Sequence, residues 1–452
     1  MADDDAVRTE AAIERILRTL VDNEHAARRT LTMVPSENAM SGLAKLPLLL
    51  DTYHRYFFNE LHDPGRWHFP SGAPAADVET SVTIPLLREL ARAGHVTVRP
   101  LSGLNGMLLV LAALGGPPGS TVATIAQENG GHYATEGIAG RLGQRVVTLA
   151  GPNPHELDYE GVTRVVAAHR PALVYVDQSN CLFPVDVARL VAAARAADPG
   201  VLVHVDASHW MGLILGGVFA NPLECGADSF GGSTHKTFPG PQKAVFCTNR
   251  DDVADRIRQA QDYLISSHHF GAVLSLGLAL AEFRDLGGAE YAGRVVANTR
   301  RFGGLLHDRG LPVVAAERGF TAGHQLWLDT EAAGLPAREA AGRLYRAGIR
   351  VNFQDLPGLP RPAVRIGLNE VTYRGLGKAE VEELSDVFAA AVTDSAPASV
   401  LAARTAALRH SVRTATSPDL TISPLRDTAV RLCLAALLDV SPEEVPDAAH
   451  AA

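Results

Sequence analysis

Only four cysteines occur in the 452 residues, at 181, 225, 247 and 433, with no Cys-x-x-Cys pair and no Cys/His cluster. That spacing argues against a disulfide framework or a zinc site, so a reducing compartment is expected. No run of Lys or Arg stands out, and the formal net charge is −9. Nucleic acid and anionic membranes are therefore not expected as partners. The longest apolar stretch, "GMLLVLAALGG" at 106–116, is too short to span a bilayer. The acidic opening "MADDDAVRTE" lacks the basic-then-apolar order of a secretory signal, and a cytoplasmic protein is expected. What remains is ordinary for a globular chain: 46% apolar and 20% charged residues, with length for two or three domains.

Residues 11–24 place Ile13, Ile16, Leu17, Leu20 and Val21 at helical spacing, which predicts a helix in an N-terminal arm, residues 1–35. From about Val96 the pattern alternates. "TVATIAQ", "RVVTLAG", "ALVYVDQ", "VLVHVDA", "ADSFGGS" and "KAVFCTN" read as strands, with helical stretches such as 159–169 and 185–197 between several of them. Near-continuous apolar strands separated by helices indicate a mostly parallel α/β sheet buried on both faces, assigned to 36–280. A long helical region from 274 to 309 follows. Shorter pieces, "GIRVNF" and "AVRIGLN" among them, make a smaller α+β domain over 281–395, and a helical extension occupies 396–452.

Ligands of parallel α/β sheets bind beyond the carboxyl ends of the strands. There this sequence places Asp177, Gln178 and Ser179 after one strand, and Asp206, Ser208 and His209 after another. His132 follows two glycines. Ser102, Gly103 and Leu104 open a helix whose free N–H groups suit an anion. Ser233 precedes "THKTFPGP", which holds Lys236 beside His235 and ahead of a rigid turn. An anion cradle, a carboxylate, an imidazole and a lysine match the needs of pyridoxal 5'-phosphate: its phosphate, its ring nitrogen, its ring face and its aldehyde. No metal site is indicated.

The sequence at this point resembles the serine hydroxymethyltransferases, fold-type I pyridoxal-phosphate enzymes. The likeness rests on "MVPSENAMS", "VDASHWMGLILGGVFANPL", "STHKTFPGP" and "VRIGLN", in unbroken order from about 11 to 392. It implies a large, mostly parallel sheet domain with a smaller C-terminal α+β domain. It also implies that Lys236 forms the internal aldimine, that Asp206 binds the pyridine nitrogen and that His132 stacks on the ring. Ser102, Gly103, Leu104 and Ser233 would hold the phosphate, Ser179 and His209 would approach the ring hydroxyl, and Ser36 and Arg365 would bind the amino-acid carboxylate. Tyr56 would reach a neighbouring subunit's site, and Ser266-Ser267 stands where a glycine pair lends phosphate contacts across the dimer. A homodimer with shared sites follows from the resemblance.

Departures gather where folate would sit. "GRWHFPSG", with Trp67, His68 and Phe69, replaces a glycine-rich tyrosine pair; Gln354 stands for a pterin-reading asparagine; Glu60 occupies the neighbourhood of the catalytic glutamate. "WHFP", "DQS", "CGAD", "HKTFPGPQK" and "GFTAGHQ" are still closer to the L-threonine transaldolases, which work without folate. The resemblance implies retro-aldol cleavage of L-threonine, release of acetaldehyde, and capture of the glycyl carbanion by a second aldehyde to give a β-hydroxy-α-amino acid. His132, His235 and Glu60 are the candidate bases for the β-hydroxyl. Folate-dependent hydroxymethyl transfer on serine or glycine and amino-acid racemisation are the alternative reactions. A fluorinated, nucleoside or aryl aldehyde would each serve as acceptor.

Overall fold

In a computed structural model the protein is described over residues 2–56, 68–412 and 425–445. Twelve strands lie among these residues: β1 (Leu31–Thr32), β2 (His95–Thr97), β3 (Thr121–Ile125), β4 (Arg145–Leu149), β5 (Leu173–Val176), β6 (Leu202–Asp206), β7 (Ser229–Ser233), β8 (Ala244–Thr248), β9 (Gln325–Leu328), β10 (Ile349–Arg350), β11 (Asn352–Gln354) and β12 (Ala363–Gly367). Seven form one sheet in the order β2-β8-β7-β6-β5-β3-β4. The couplings from β4 to β7 are parallel, whereas β8 runs antiparallel to both β7 and β2. The expected mostly parallel α/β sheet is thus present, with an antiparallel edge.

The inner strands β3, β5, β6, β7 and β8 read as near-continuous apolar runs because each face of the sheet is covered over them. Side chains alternate between faces with a period of two. Leu173 and Tyr175 of β5 enter one core with Leu109, Leu111, Ala139 and Ile257. Val174 and Val176 enter the opposite core with Val162, Val166, Leu190 and Ala194 from the helices Tyr159–His169 and Val187–Ala197.

The long helical region from 274 to 309 is built of two helices, Phe270–Asp285 and Gly288–Asp308. The break falls at Gly287, whose φ of 89° suits glycine and ends the first helix. The second helix joins two cores: Tyr291 and Val295 pack under the large sheet, while Phe302 and Leu306 pack with Leu326, Val364 and Phe388. That second core backs the antiparallel sheet β11-β12-β9. The parallel pair β1–β10 and the bond from Gly367 N to Met33 O (2.8 Å) draw Pro35 and Ser36 alongside β12. The N-terminal helix extends over Ala2–Ala27, longer than its apolar repeat suggests, and Ile13, Ile16, Leu17, Leu20 and Val21 are all exposed. No helix among the described residues is long and apolar enough to cross a membrane.

Candidate active site

The ends of β3, β5, β6 and β7 meet the N-terminus of helix Gly103–Leu114 around a cavity of about 240 Å³. Ser102 caps that helix, its hydroxyl accepting from Asn105 N at 3.2 Å. Ser208 Oγ accepts from Ser233 N at 2.9 Å, tying the ends of β6 and β7 together. Two glycines are required by close approach. A Cβ on Gly103 would lie 2.4 Å from Ser233 Oγ, and one on Gly232 (φ 133°) would lie 2.5 Å from Ser208 N. Helix N–H groups and two serine hydroxyls therefore converge at the open end of a helix dipole, a cradle that a side chain would fill and an anion fits.

β6 delivers Asp206 beside that cradle. Its Oδ1 accepts from Ser208 N and its Oδ2 from the Tyr175 hydroxyl, each at 2.9 Å. Tyr175 is buried from the neighbouring strand, and its phenol is held well above its usual pKa by burial and then by the charge of Asp206. It acts as a donor. The carboxylate is thereby fixed in orientation with acceptor capacity left for a cationic N–H.

Lys236 projects from the loop after β7, and burial pulls its amine down to about 8, Arg365 adding to the shift and Asp206 opposing it. The loop is held from several directions. Asn38 Nδ2 (2.6 Å) and Asn369 Nδ2 (3.2 Å) both donate to the Lys236 carbonyl. The Tyr291 hydroxyl donates to Thr237 O at 2.9 Å, and Thr234 Oγ1 closes the turn on Pro241 O at 2.6 Å. The Pro/Gly-rich turn after Thr237 thus belongs to a frame that fixes the lysine backbone.

His132 lies against Tyr133, with ring centroids 4.7 Å apart and planes at 25°. Its Nδ1 accepts from Ala134 N at 3.2 Å, so Nε2 carries the proton and meets the cavity as a donor. Burial lowers its pKa. Behind it sits Asp177, which accepts from His132 N (3.2 Å), Thr124 Oγ1 (2.9 Å) and Thr135 Oγ1. Burial raises this carboxyl to about 7 despite the two threonine hydroxyls. His235, next to Lys236, has a buried Nδ1 without a partner, and burial takes its pKa down to about 4.

Arg365 projects from β12 with 4% of its surface exposed. Its Nε donates to Gln325 Oε1 (2.9 Å) and its Nη2 to Ser179 O (2.7 Å) and His209 Nε2 (3.4 Å). All three acceptors are neutral, and no carboxylate pairs with it among the described residues. Burial accordingly lowers even this guanidinium to about 10. Gln325 completes a ring of bonds by donating to Ser179 O at 3.0 Å. Gln325→Leu leaves Arg365 Nε–H without its buried acceptor and is expected to cost about 1–3 kcal/mol. A lower midpoint in urea or thermal unfolding checks this, with Gln325→Glu, which keeps the acceptor, recovering part of the loss.

Of the residues expected from sequence, Ser102, Gly103, Leu104, His132, Ser179, Asp206, His209, Ser233, His235 and Lys236 all line the one cavity. Arg365 stands at its edge through His209. Ser36 does not line it but is carried next to β12. Tyr56 and Ser267 lie outside it; the Tyr56 hydroxyl is 2.7 Å from Ser266 Oγ. Glu60 and Trp67 fall outside the described residues. Sequence reasoning did not single out Tyr175, the orienting partner of Asp206, or Asn38 and Asn369, which hold the lysine loop. Asn38 could have been found, since it stands in the stretch "MVPSENAMS" that carries part of the resemblance.

A sequence profile described as serine hydroxymethyltransferase matches residues 10–388. The chain belongs to the serine hydroxymethyltransferase family. It is 46% identical over 380 residues to an L-threonine:uridine-5'-aldehyde transaldolase from a Streptomyces species, covering 83% of this chain and 92% of the relative. It is 43% identical over 378 residues to one from an Amycolatopsis species, covering 83% and 91%. Its fold matches the crystal structure of L-threonine transaldolase from Pseudomonas fluorescens in the internal aldimine state. That match has a TM-score of 0.82 and 26% identity, over 96% of this chain and 99% of the other. Within this serine hydroxymethyltransferase-family chain the profile match ends before the helices Ala398–Val412 and Leu425–Leu438.

Proposed function

We propose that the protein is a pyridoxal 5'-phosphate-dependent L-threonine transaldolase. It breaks the Cα–Cβ bond of L-threonine, releases acetaldehyde, and joins the glycyl unit to a second aldehyde as a β-hydroxy-α-amino acid. The transaldolase relatives support this reading, and one observation carries it: Arg365, a buried cation surrounded only by neutral acceptors, beside a lysine whose amine is pulled to about 8. A buried charge without a counter-ion is costly. A substrate carboxylate supplies the missing partner through a two-pronged hydrogen bond.

The cofactor fits the donor set. Ser102, Gly103, Leu104 and Ser233 would hold its phosphate, Lys236 would take its aldehyde, and His132 would cover the ring face. Asp206 would keep the ring nitrogen protonated, while Ser179 and His209 would face the ring hydroxyl. Bound there, the cofactor supplies an electron sink for the pair left on Cα when the bond to Cβ breaks. Arg365 and Ser36 orient the carboxylate, which decides which bond at Cα stands perpendicular to that sink and is therefore cleaved. His235, with a free buried Nδ1, and Glu60 remain the candidates for taking the β-hydroxyl proton, His132 being a donor in this geometry. We assign Tyr56 and Ser267 to the facing site of a homodimer, in keeping with their positions outside the cavity of their own chain. The amino acid and the aldehyde are the small-molecule partners; the cytoplasm is the proposed location.

Incubation with L-threonine and an acceptor such as benzaldehyde, in the absence of folate, tests the reading. Acetaldehyde release, followed with alcohol dehydrogenase and NADH, is expected to match the new β-hydroxy-α-amino acid mole for mole. Serine turnover that requires tetrahydrofolate, with no acetaldehyde from threonine, would overturn it.

A further inference from the structure

Two histidines from distant parts of the chain meet behind the cavity. His209 follows β6, His324 precedes β9, and the rings stack with planes at 24°. His209 Nδ1 is 3.1 Å from His324 Nε2. His209 Nε2 faces Arg365 Nη2 at 3.4 Å. At the other end the backbone carbonyl of Pro35 lies near His324 and favours a proton on it.

Both ends of this series have a fixed sense. A guanidinium can only donate, so His209 Nε2 must accept and is bare. With Nε2 bare, a neutral His209 carries its proton on Nδ1 and donates it to His324 Nε2, which must accept; Pro35, having no N–H, can offer His324 only its carbonyl oxygen as an acceptor. The one arrangement that satisfies every member runs from Arg365 to His209, from His209 Nδ1–H to His324, and from His324 to Pro35 O. Both imidazoles are then neutral. Burial favours the same state, pushing His209 well below the usual histidine range and His324 to about 3, with nearby Arg365 and Lys236 adding to each shift.

We propose that His324 is a positioning residue that locks His209 as the Nδ1–H tautomer, so that the bare Nε2 of His209 faces the cavity as an acceptor. The tautomer follows from the bond directions alone; its catalytic consequence rests on the transaldolase reading. When a carboxylate takes the Arg365 guanidinium, His209 Nε2 gives up its donor. It is then free to accept from a hydroxyl in the cavity. With His324 absent, the His209 ring has no acceptor for Nδ1–H and is free to place a proton on Nε2, donor against donor with Arg365. The same relay reaches Pro35, which precedes Ser36, so one side chain registers both sides of the carboxylate site.

The test pairs a direct and a kinetic readout. Neutron diffraction from deuterium-exchanged crystals of the wild-type protein reads the protons on His209 and His324 without reference to any substrate. Deuterium on Nδ1 and none on Nε2 of both rings is expected, and deuterium on His209 Nε2 overturns the proposal. His324→Leu is expected to lower kcat by about tenfold or more. That is milder than the roughly 10⁴-fold loss seen when a triad carboxylate that fixes a tautomer is replaced. His324→Asn can donate to Pro35 O and accept from His209, and is expected to stay within about threefold of wild type. Equal losses in the two soluble variants would reduce His324 to packing and overturn its positioning role. If threonine proves not to be the substrate, the diffraction result still decides the tautomer, so the two failures are distinguishable.

Discussion

Lys236→Ala is expected to abolish covalent attachment of the proposed cofactor, and with it the yellow chromophore, and to lower turnover on the order of 10⁴- to 10⁶-fold, as for loss of other covalent catalysts. The folded state is expected to survive, because the loop is held through its backbone by Asn38, Asn369 and Tyr291 rather than by the amine. Lys236→Arg behaves the same way, since a guanidinium stays protonated and is no nucleophile. The pH dependence has a definite sign. The amine has its folded pKa lowered to about 8, so protonation below that pH removes the nucleophile. Attachment of pyridoxal 5'-phosphate to apoprotein is therefore expected to slow by about tenfold per unit as pH falls below about 8. The same shift has a stability counterpart. Between about 8 and the unfolded lysine value near ~10.4 the unfolded chain binds more protons, so this residue's contribution to stability rises with pH across that window and is lost again as pH falls through 8. Absorbance on reconstitution across pH 6.5–9 (roughly a window either side of the lysine pKa) measures the first effect. A chromophore and full turnover in Lys236→Ala would remove the basis for the mechanism.

The residues legible in the sequence are those where local pattern and chemistry coincide. The strand runs are near-continuously apolar because the inner strands are buried on both sheet faces, so their carboxyl ends, where Asp206 and Ser179 stand, can be read from the pattern alone. The positions of Tyr175 and Gln325 cannot. Tyr175 looks like one more apolar strand residue until its hydroxyl is seen across the neighbouring strand on Asp206. Gln325 meets Arg365 across 40 residues and Ser179 across 146, and His324 meets His209 across 115. No periodicity connects residues so far apart. Asp177 stands at a strand end in the sequence, but its role in holding the N–H of His132 comes only from the fold. The division of the long helical region at Gly287 depends on backbone conformation, since both flanking helices keep their apolar spacing and the left-handed φ marks the join.

Arg365→Leu separates carboxylate recognition from cofactor chemistry. The side chain is buried, charged and surrounded by neutral acceptors, so its loss removes a binding partner without stranding a protein carboxylate. Truncating one member of a buried, hydrogen-bonded charge pair costs about 2–5 kcal/mol, which is about 30- to 4000-fold in kcat/KM for L-threonine. The cofactor absorbance should be unchanged, because the cradle, Asp206 and Lys236 are reached from other elements. Arg365→Lys keeps the charge but not the planar fork, and is expected to fall between wild type and Arg365→Leu. Thermal stability should move little, since relief of an unpaired buried cation offsets the acceptors left without a donor, Gln325 Oε1 and His209 Nε2, while the carbonyl of Ser179 keeps its bond from Gln325. A kcat/KM within about threefold of wild type in both variants, under one kcal/mol, would mean that the carboxylate binds elsewhere and that the unpaired guanidinium needs another explanation.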